Sequence, residues 1–331
     1  MKTPMLDAFN TTLETQKAHW VAPYEKPVES DTHQFLLFLK PEVTAQHENV
    51  DVGGILKMTC ERLNHFDVSV HAIRILPAAY LAKNAIMDQH YGVINAISKN
   101  GEAALTEQAR EKLHEVFAED LANGAQVLGG HQFLQAQPEF TPLSLCTLSD
   151  NLGTTKLGGG SYCMRLKLDG ELFLVLNPFH AFQLVPFTTP GRAIIAAECR
   201  SNQDWDVLRT QLTGSTDPSK AEAGSIRAEL LAHKDVFNLK DVNQGSNGVH
   251  LSAGPLEGMV ELQRFFTDHD KESRLELSDT IFGAQLLAAG ISEDRLKELA
   301  SNPELTVDGQ NISAFDLTEE VNAAESVKRL I

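Results

Sequence analysis

Hydrophobic positions in the first quarter of the chain change from strand spacing to helix spacing and back. Residues 34–39 form a continuous apolar run that a Lys-Pro pair ends, which predicts a buried strand. Apolar residues then recur at helical spacing over 56–63, and alternation over 67–76 predicts a half-buried strand. Pro77 suits the first position of a second helix. The predicted order is therefore β-α-β-α with short connections.

The rest of the chain has further elements of both kinds. Alternating runs on either side of Asp169-Gly170 predict a hairpin over 164–175. Another apolar strand is predicted at 192–197, and a small hairpin is predicted around 307–309. Helices are predicted from apolar spacing at 105–117, 205–212, 256–266, 278–289, 292–301 and 317–330. No internal repeat is visible.

Charge and cysteine content narrow the function classes. The 331 residues carry a formal charge of -17, from 45 acidic against 28 basic residues. This argues against non-specific binding of nucleic acid or anionic membranes, since both need a basic footprint. The four cysteines show no CxxC spacing, which favours buried free thiols over disulfides or a zinc site. With no apolar leader and no bilayer-spanning run, we expect a soluble, cytoplasmic protein.

The stretch from Asn247 to Ser252 carries the most distinctive candidate chemistry. It places His250 at the end of a short apolar segment, just before a helix that Pro255 opens and that carries Glu261. A helix N-terminus favours anions, so an imidazole held there suits the acceptance and return of a phosphoryl group. The plainer interpretation is a structural histidine on a strand-to-helix turn, and the stretch taken alone favours it.

Four other segments carry groups that suit phosphate, each with an ordinary structural alternative. Lys40 ends the first strand and would project into a site or into solvent. The turn at 214–218 offers the Thr216 hydroxyl and several backbone N–H groups. Arg227 offers a guanidinium for phosphate oxygens or for a surface salt bridge. Tyr91 offers a phenol at a helix end, or is a core tyrosine with a solvated tip.

Taken in order, these segments resemble the nucleoside diphosphate kinase family. The family signatures are a strand ending Lys-Pro-Asp, a Gly-x-Thr-Asn-Pro loop leading to Gly-Thr-Ile-Arg, and Asn-x-x-His-Gly-Ser before a Glu-bearing helix. This chain has Lys-Pro-Glu at 40–42, Gly-Ser-Thr-Asp-Pro at 214–218, Gly-Ser-Ile-Arg at 224–227 and Asn-Gly-Val-His-Leu-Ser at 247–252. Pro-Phe-His at 178–180 is similar to the family's Pro-Phe-Phe segment. The resemblance covers roughly 33–91 and 177–267.

The resemblance implies a role for each matched residue. His250 would be the nucleophile that forms a phosphohistidine, and Glu261 would orient and polarise its imidazole. Phe179 would stack on the base, and Asn247 would bind the sugar or phosphate side of the nucleotide. The residues implied to hold the transferred phosphate and its neighbours are Lys40, Tyr91, Thr216 and Arg227. Magnesium (Mg2+) would bridge phosphate oxygens, with no direct protein ligand.

Three positions depart from the family pattern. Leu251 replaces the glycine that follows the histidine, so we expect either a negative φ there or an altered turn. Ala253 replaces the aspartate that follows the serine. Arg209 matches a phosphate-binding arginine of the family, but it stands one residue further from the glycine-threonine loop.

The implied fold is an α/β (α+β) sandwich of ferredoxin-like type, a four-stranded antiparallel sheet with helices on one face. The kinase-like domain is expected at 32–269, interrupted by an insertion at about 92–176. Polar, proline-bearing residues 1–31 are expected to form an N-terminal arm. Residues 270–331 are expected to form a mostly helical C-terminal extension.

The expected activity is transfer of the γ-phosphate of a nucleoside triphosphate to a nucleoside diphosphate. Two alternatives stay open at this point: a non-catalytic nucleotide-binding or interaction module, and a phosphotransferase that passes phosphate from His250 to a non-nucleotide acceptor. The partners expected are nucleoside di- and triphosphates and further copies of the chain. Base preference is not indicated, because Phe179 would stack on any base.

Overall fold

The computed structural model describes residues 2–28, 31–45, 48–271 and 274–331, apart from the side chains of residues 2 and 3. It divides into two compact units, Met1–Asn84 with Thr189–Ile331, and Ala85–Thr188. The strands are β1 (His19–Ala22), β2 (His33–Leu39), β3 (Ser69–Pro77), β4 (Gln126–Gly129), β5 (Thr155–Gly158), β6 (Ser161–Leu168), β7 (Glu171–Leu176), β8 (Ala193–Ser201), β9 (Val249–Leu251), β10 (Glu304–Val307) and β11 (Gln310–Ser313).

The α-helices lie before, between and after these strands along the chain. They are α1 (Lys2–Thr15), α2 (Val52–His65), α3 (Ala78–Lys83), α4 (Ile86–His90), α5 (Gly92–Asn100), α6 (Glu107–Val116), α7 (Ala118–Ala122), α8 (Gly130–Ala136), α9 (Pro142–Leu152), α10 (His180–Thr188), α11 (Trp205–Val207), α12 (Ile226–Ala232), α13 (Pro255–Phe266), α14 (Ile281–Ala288), α15 (Glu293–Ala300), α16 (Ala314–Thr318) and α17 (Ala323–Leu330). Among the described residues, no helix has the length and apolar character needed to span a bilayer.

The first unit is built on a five-stranded antiparallel sheet with the order β1-β3-β8-β2-β9. The strands predicted at 34–39, 67–76 and 192–197 are present as β2, β3 and β8. The expected mixed α/β class with antiparallel pairing is confirmed. The sheet has five strands rather than four, because β1 pairs with β3 and extends that edge.

Helices cover both faces of this sheet, so the expectation of helices on one face is wrong. On one face Phe35 and Leu37 of β2 pack in a core with residues of α1, α2 and α12. On the other face Phe38 stacks on Phe265 of α13, with ring centroids 5.3 Å apart. Burial on both faces explains the unbroken apolar run of β2, because such a strand needs apolar residues at every position.

Residues 2–22 form part of this core instead of the expected N-terminal arm. Helix α1 buries Met5 and Phe9, which are 5% and 0% exposed. Strand β1 pairs with β3 from His19 to Ala22. The apolar residues of α1 recur at helical spacing, which indicates a helix although most residues of the segment are polar.

The second unit has a sheet of its own. Its order is β4-β7-β6-β5, with β4 parallel to β7 and the other pairs antiparallel. The predicted hairpin is β6 and β7, joined by Asp169 and Gly170 at φ 49° and 90°. Cys163 and Leu174 face one apolar cluster, and Met164 and Phe173 face another. The predicted insertion at 92–176 lies within this unit.

The C-terminal residues form helices and a hairpin, as predicted. The single helix predicted at 317–330 is replaced by two shorter helices. Helices α16 and α17 are separated at 319–322, where Glu320 has φ 55° and interrupts helical geometry. Apolar residues of this region pack in one cluster with Leu256, Met259 and Val260 of α13. The extension therefore supports the helix that carries Glu261.

Candidate active site

His250 is the middle residue of β9, the edge strand of the five-stranded sheet. Its neighbours Val249 and Leu251 are buried in the core with α1 and α2, so the alternation of the strand places His250 on the opposite face. There it lies opposite Phe38 of β2, with stacked rings 4.7 Å apart. The sheet register therefore fixes the plane of the imidazole.

The turn into β9 requires a glycine. Gly248 has φ 77°, and a Cβ there would lie 2.5 Å from Cδ1 of Leu230 and 2.7 Å from Cγ1 of Val43. Its N–H donates to Oε1 of Glu42 at 3.0 Å. Gly248 is thus a packing requirement for the strand that carries His250.

His250, Glu261 and Ser252 form one hydrogen-bonded group, which we call the His250 relay. Nε2 of His250 lies 2.8 Å from Oε1 of Glu261. A carboxylate accepts only, so Nε2 carries the proton and donates. The Ser252 hydroxyl donates to Oε2 of Glu261 and accepts from the Leu36 N–H at 3.0 Å. Helix α13 thereby carries the carboxylate, and strand β2 holds the serine that donates to it.

Burial and charge favour a neutral His250. Its side chain is 18% exposed, and that of Glu261 is fully buried. Burial lowers the pKa of His250 below the ordinary 6.5; Glu261 opposes this effect, and Lys40 and Arg209 add to it. A neutral imidazole with its proton on Nε2 keeps the lone pair on Nδ1, which is the electronic state a nucleophile needs.

Hydrogen bonds join Lys40 and Asn247 to the loop at 214–218. Nζ of Lys40 donates to Oδ1 of Asn247 at 2.7 Å. Nδ2 of Asn247 donates to the carbonyl of Thr216 at 3.2 Å. Burial lowers the pKa of Lys40, and Glu42 opposes that shift. The structure therefore brings these sequence-predicted residues together through direct contacts.

A cavity of about 430 Å³ lies beside this loop. We call it the Arg209 cavity; it is lined by Arg209, Thr210, Gly214, Ser215, Thr216, Lys220, Glu222, Arg227 and Glu320. Three cationic side chains, two hydroxyl-bearing loop residues and a glycine are the groups that bind phosphate oxygens. Two carboxylates share the same walls.

The two arginines of the cavity hold the backbone on either side of His250. Nη2 of Arg227 donates to the carbonyl of Val249 at 3.0 Å, and Nη1 donates to the carbonyl of Gly214 at 2.7 Å. Nη1 of Arg209 donates to the carbonyl of Leu251 at 2.9 Å. Two residues of the cavity wall are thus hydrogen-bonded to the strand that carries His250.

Arg209 lies in a π-helical segment. Residues 208–213 continue α11 with i to i+5 geometry, and the N–H of Gly214 donates to the carbonyl of Arg209 at 3.1 Å. Such a segment absorbs one extra residue without ending the helix. Arg209 therefore lines the cavity with Thr216 and Arg227 despite the additional residue before the loop.

Tyr91 and Phe179 lie in the second unit. Tyr91 connects α4 to α5, and its ring is edge-on to His180 and Phe187 at 6.0 and 6.2 Å. Phe179 directly precedes α10 and packs edge-on against Tyr162 at 5.7 Å. Both sit at helix ends, and their roles toward a nucleotide stay predictions.

Comparison with known proteins identifies the family. A nucleoside diphosphate kinase from Burkholderia thailandensis is 31% identical over 110 residues, which are 33% of this chain and 70% of that protein. The chain belongs to the nucleoside diphosphate kinase family. A nucleoside diphosphate kinase from Bdellovibrio bacteriovorus is 31% identical over 94 residues, 28% of this chain and 57% of that protein.

Two further comparisons are less informative. No family model matches the sequence. A solved NDP kinase from Pyrobaculum aerophilum aligns with 74% of this chain and 100% of that one, at 16% identity and a TM-score of 0.35. Membership of the nucleoside diphosphate kinase family therefore rests on the sequence match.

The departure at Leu251 from the nucleoside diphosphate kinase pattern has a simple structural outcome. Leu251 is the last residue of β9, and its side chain is 0% exposed in the core. The backbone φ of Leu251 is negative. Extended backbone accepts any side chain, so leucine at this position leaves His250 in a regular strand.

Three contributors to the site were missed by sequence reasoning. Ser252 belongs to the Asn-Gly-Val-His-Leu-Ser segment, but the sequence does not indicate that its hydroxyl donates to Glu261. Lys220 lines the Arg209 cavity four residues after Thr216 and had a local signal, a basic residue just after the loop. Glu320 also lines the cavity, and no signal near the motifs indicates it.

Proposed function

We propose that this protein is a phosphotransferase that moves the γ-phosphate of a nucleoside triphosphate to a nucleoside diphosphate through phospho-His250. One observation carries the proposal. Arg227 and Arg209 line a cavity of about 430 Å³ and hold the carbonyls on both sides of His250, while Glu261 holds its Nε2. A histidine, the carboxylate that contacts its Nε2 and two cations thus surround one strand, which supports the roles proposed for them.

The first half-reaction follows from the tautomer. The Nδ1 lone pair attacks the γ-phosphorus in line, the Nδ1–P bond forms, and the bond from phosphorus to the bridging oxygen breaks. The electron pair of that bond leaves with the nucleoside diphosphate. The ring becomes cationic as Nδ1 is phosphorylated, and the Glu261 carboxylate on Nε2–H stabilises that charge. The second half-reaction is the reverse, with another nucleoside diphosphate as acceptor.

Phosphate binding is assigned to the Arg209 cavity and its margin. Arg209, Arg227 and Lys220 would neutralise phosphate oxygens, and Thr216 would donate its hydroxyl. Lys40, held by Asn247, would contact the transferred group beside His250. Tyr91 would add a phenol and Phe179 would stack on the base, as the family resemblance implies.

The donor set also fits magnesium carried by the nucleotide. The cationic walls suit the phosphates, and the Thr216 hydroxyl and the Glu222 carboxylate add the oxygen donors that this ion prefers. When bound, magnesium would neutralise charge on the transferred phosphoryl group. No residue is assigned to it as a direct ligand.

The domain and fold expectations belong to the same proposal. The strand order β3-β8-β2-β9 supports the proposed ferredoxin-like sandwich, to which β1 would be an addition. The kinase-like domain at 32–269, the 92–176 insertion and homo-oligomeric assembly stay predictions.

Labelling with γ-32P-ATP and magnesium tests the function. We expect acid-labile, alkali-stable label in the wild type and none in His250→Asn. The matched control is His233→Asn, because His233 makes a surface pair with Glu229 at 3.3 Å and should label normally. Unlabelled GDP or CDP should discharge the label. Label that nucleotides do not discharge would indicate another acceptor, and absence of label at saturating ATP would contradict catalysis.

A further inference from the structure

The C-terminal extension presents carboxylates to the arginine of the Arg209 cavity. Oε1 of Glu320 lies 3.6 Å from Nε of Arg209, and Oε1 of Glu319 lies 3.8 Å from Nη2. Arg209 is 19% exposed, and both carboxylate side chains are 46% exposed. Glu320 itself lines the cavity. An anion is thus built into a site whose other charged walls are mostly cationic.

The segment that carries Glu320 is anchored to the catalytic framework. Its N–H donates to the carbonyl of Ala253, directly after the His250 relay, at 2.9 Å. Gly254 is packed so closely that a Cβ there would lie 2.3 Å from the carbonyl oxygen of Thr318. Oδ1 of Asn322 accepts from the N–H of Trp205, the first residue of the helix that leads to Arg209, at 2.8 Å. These contacts hold the backbone of Glu320 beside the cavity.

The ion pair has the geometry of a contact that a ligand displaces. Distances of 3.6 and 3.8 Å exceed hydrogen-bond length, and partly exposed pairs of this kind contribute little stability. A phosphate group that binds Arg209 through two of its oxygens would replace the carboxylate. The Glu320 charge would then stay at the cavity wall and repel the bound anion.

We propose that Glu320 is a specificity-determining residue that competes with nucleotide phosphates for Arg209 and so favours metal-complexed over metal-free nucleotides. The inference rests on the proposed function, because it assigns the cavity to nucleotide phosphates. Repulsion by a fixed carboxylate grows with ligand charge, and magnesium removes two charges from a triphosphate. Free ATP is therefore penalised more than magnesium-bound ATP.

Calorimetric binding of ATP, with excess magnesium or with EDTA, tests this in the full chain. For Glu320→Gln we expect free ATP to bind about tenfold tighter and magnesium-bound ATP about threefold tighter than to wild type. The matched control is Glu298→Gln, which removes the same charge from the same extension. Glu298 pairs with Arg295 at 2.8 Å and is 56% exposed, away from the cavity lining.

A second variant guards against misfolding. Glu320→Asp retracts the carboxylate by one methylene and should give intermediate affinities. If Glu320→Gln binds both ligands like wild type, or more weakly, the inference is overturned, because Glu320 would then be only an anchor or an aid to Arg209. If the wild type labels at His250 but Glu320→Gln binds ATP with unchanged affinity, only the inference about Glu320 is contradicted. Wild type that never labels, with tighter binding in Glu320→Gln, defeats the proposed function alone.

Discussion

The His250 relay and the Arg209 cavity are held in opposite ways. The relay lies between a sheet strand and α13, with Glu261 fully buried and each of its oxygens in a hydrogen bond. The cavity is open, is partly walled by a loop, and takes Glu320 from an extension about 70 residues after the histidine. Under the proposed function, we expect the relay to set the rate of phosphotransfer and the cavity to set nucleotide affinity and selectivity.

The largest effect should come from Glu261→Gln. An amide still contacts Nε2, but it cannot neutralise the cationic ring that forms on phosphorylation, so we expect labelling to slow on the order of 100-fold with ATP affinity nearly unchanged. Single-turnover labelling at saturating ATP measures the rate. Glu229→Gln removes the carboxylate of a surface histidine pair and is the control. An unchanged rate in Glu261→Gln would assign the carboxylate a purely structural role.

A smaller effect, on binding rather than rate, is expected from Arg227→Lys. A lysine cannot donate to the carbonyls of Gly214 and Val249 while also holding phosphate, so affinity for magnesium-bound ATP should fall about tenfold. The labelling rate at saturation should change less than about threefold. The reverse result, a slower rate at unchanged affinity, would break the division between relay and cavity.

The titration of His250 gives a third, subtler test of the relay. Burial is the main cause that lowers its pKa below 6.5, so the imidazole should stay mostly neutral at pH 6.5 and become protonated only at lower pH. The nucleophile is then lost as pH falls through that lowered value. Proton NMR of the ring, assigned by comparison with His250→Asn, measures it. A midpoint at or above 6.5 would contradict the electrostatics described for the site.

The smallest effect concerns stability beside the relay. Burial, with a contribution from Glu261, raises the pKa of Glu257 to about 8 from the ordinary 4.5. The folded state therefore favours protonated Glu257, and stability falls as pH rises from about 4.5 to about 8. Glu257→Gln should raise the thermal midpoint by about 2 °C at pH 8 and leave it nearly unchanged at pH 5. Equal shifts at both pH values would exclude this linkage.

Sequence reasoning located the relay better than the cavity, and the cause is physical. His250 and Glu261 are joined by a short strand and the helix that follows, so their spacing along the chain already fixes their separation. The strands of the sheet are also predictable from the sequence, because local apolar patterns determine them. The sequence indicates Arg209 as a candidate residue, but its position at the cavity depends on a π-helical segment that residue spacing does not predict.

Contacts distant in sequence could not be anticipated. Glu320 reaches the cavity only because the extension packs on α13 and its chain turns at 319–322. The N-terminal helix was hidden by its polar average, although Phe9 is fully buried. In each case the deciding interaction joins segments whose pairing is set by the packed core, not by a local pattern.

Mapping of phosphate in the chain after incubation with magnesium-ATP tests the central claim most directly. Digestion and mass spectrometry at alkaline pH should place an acid-labile phosphate on the peptide that contains His250, and brief GDP treatment should remove it. His250→Asn should carry none. A stable phosphate on another residue, or none on His250 at saturating ATP, would contradict the account.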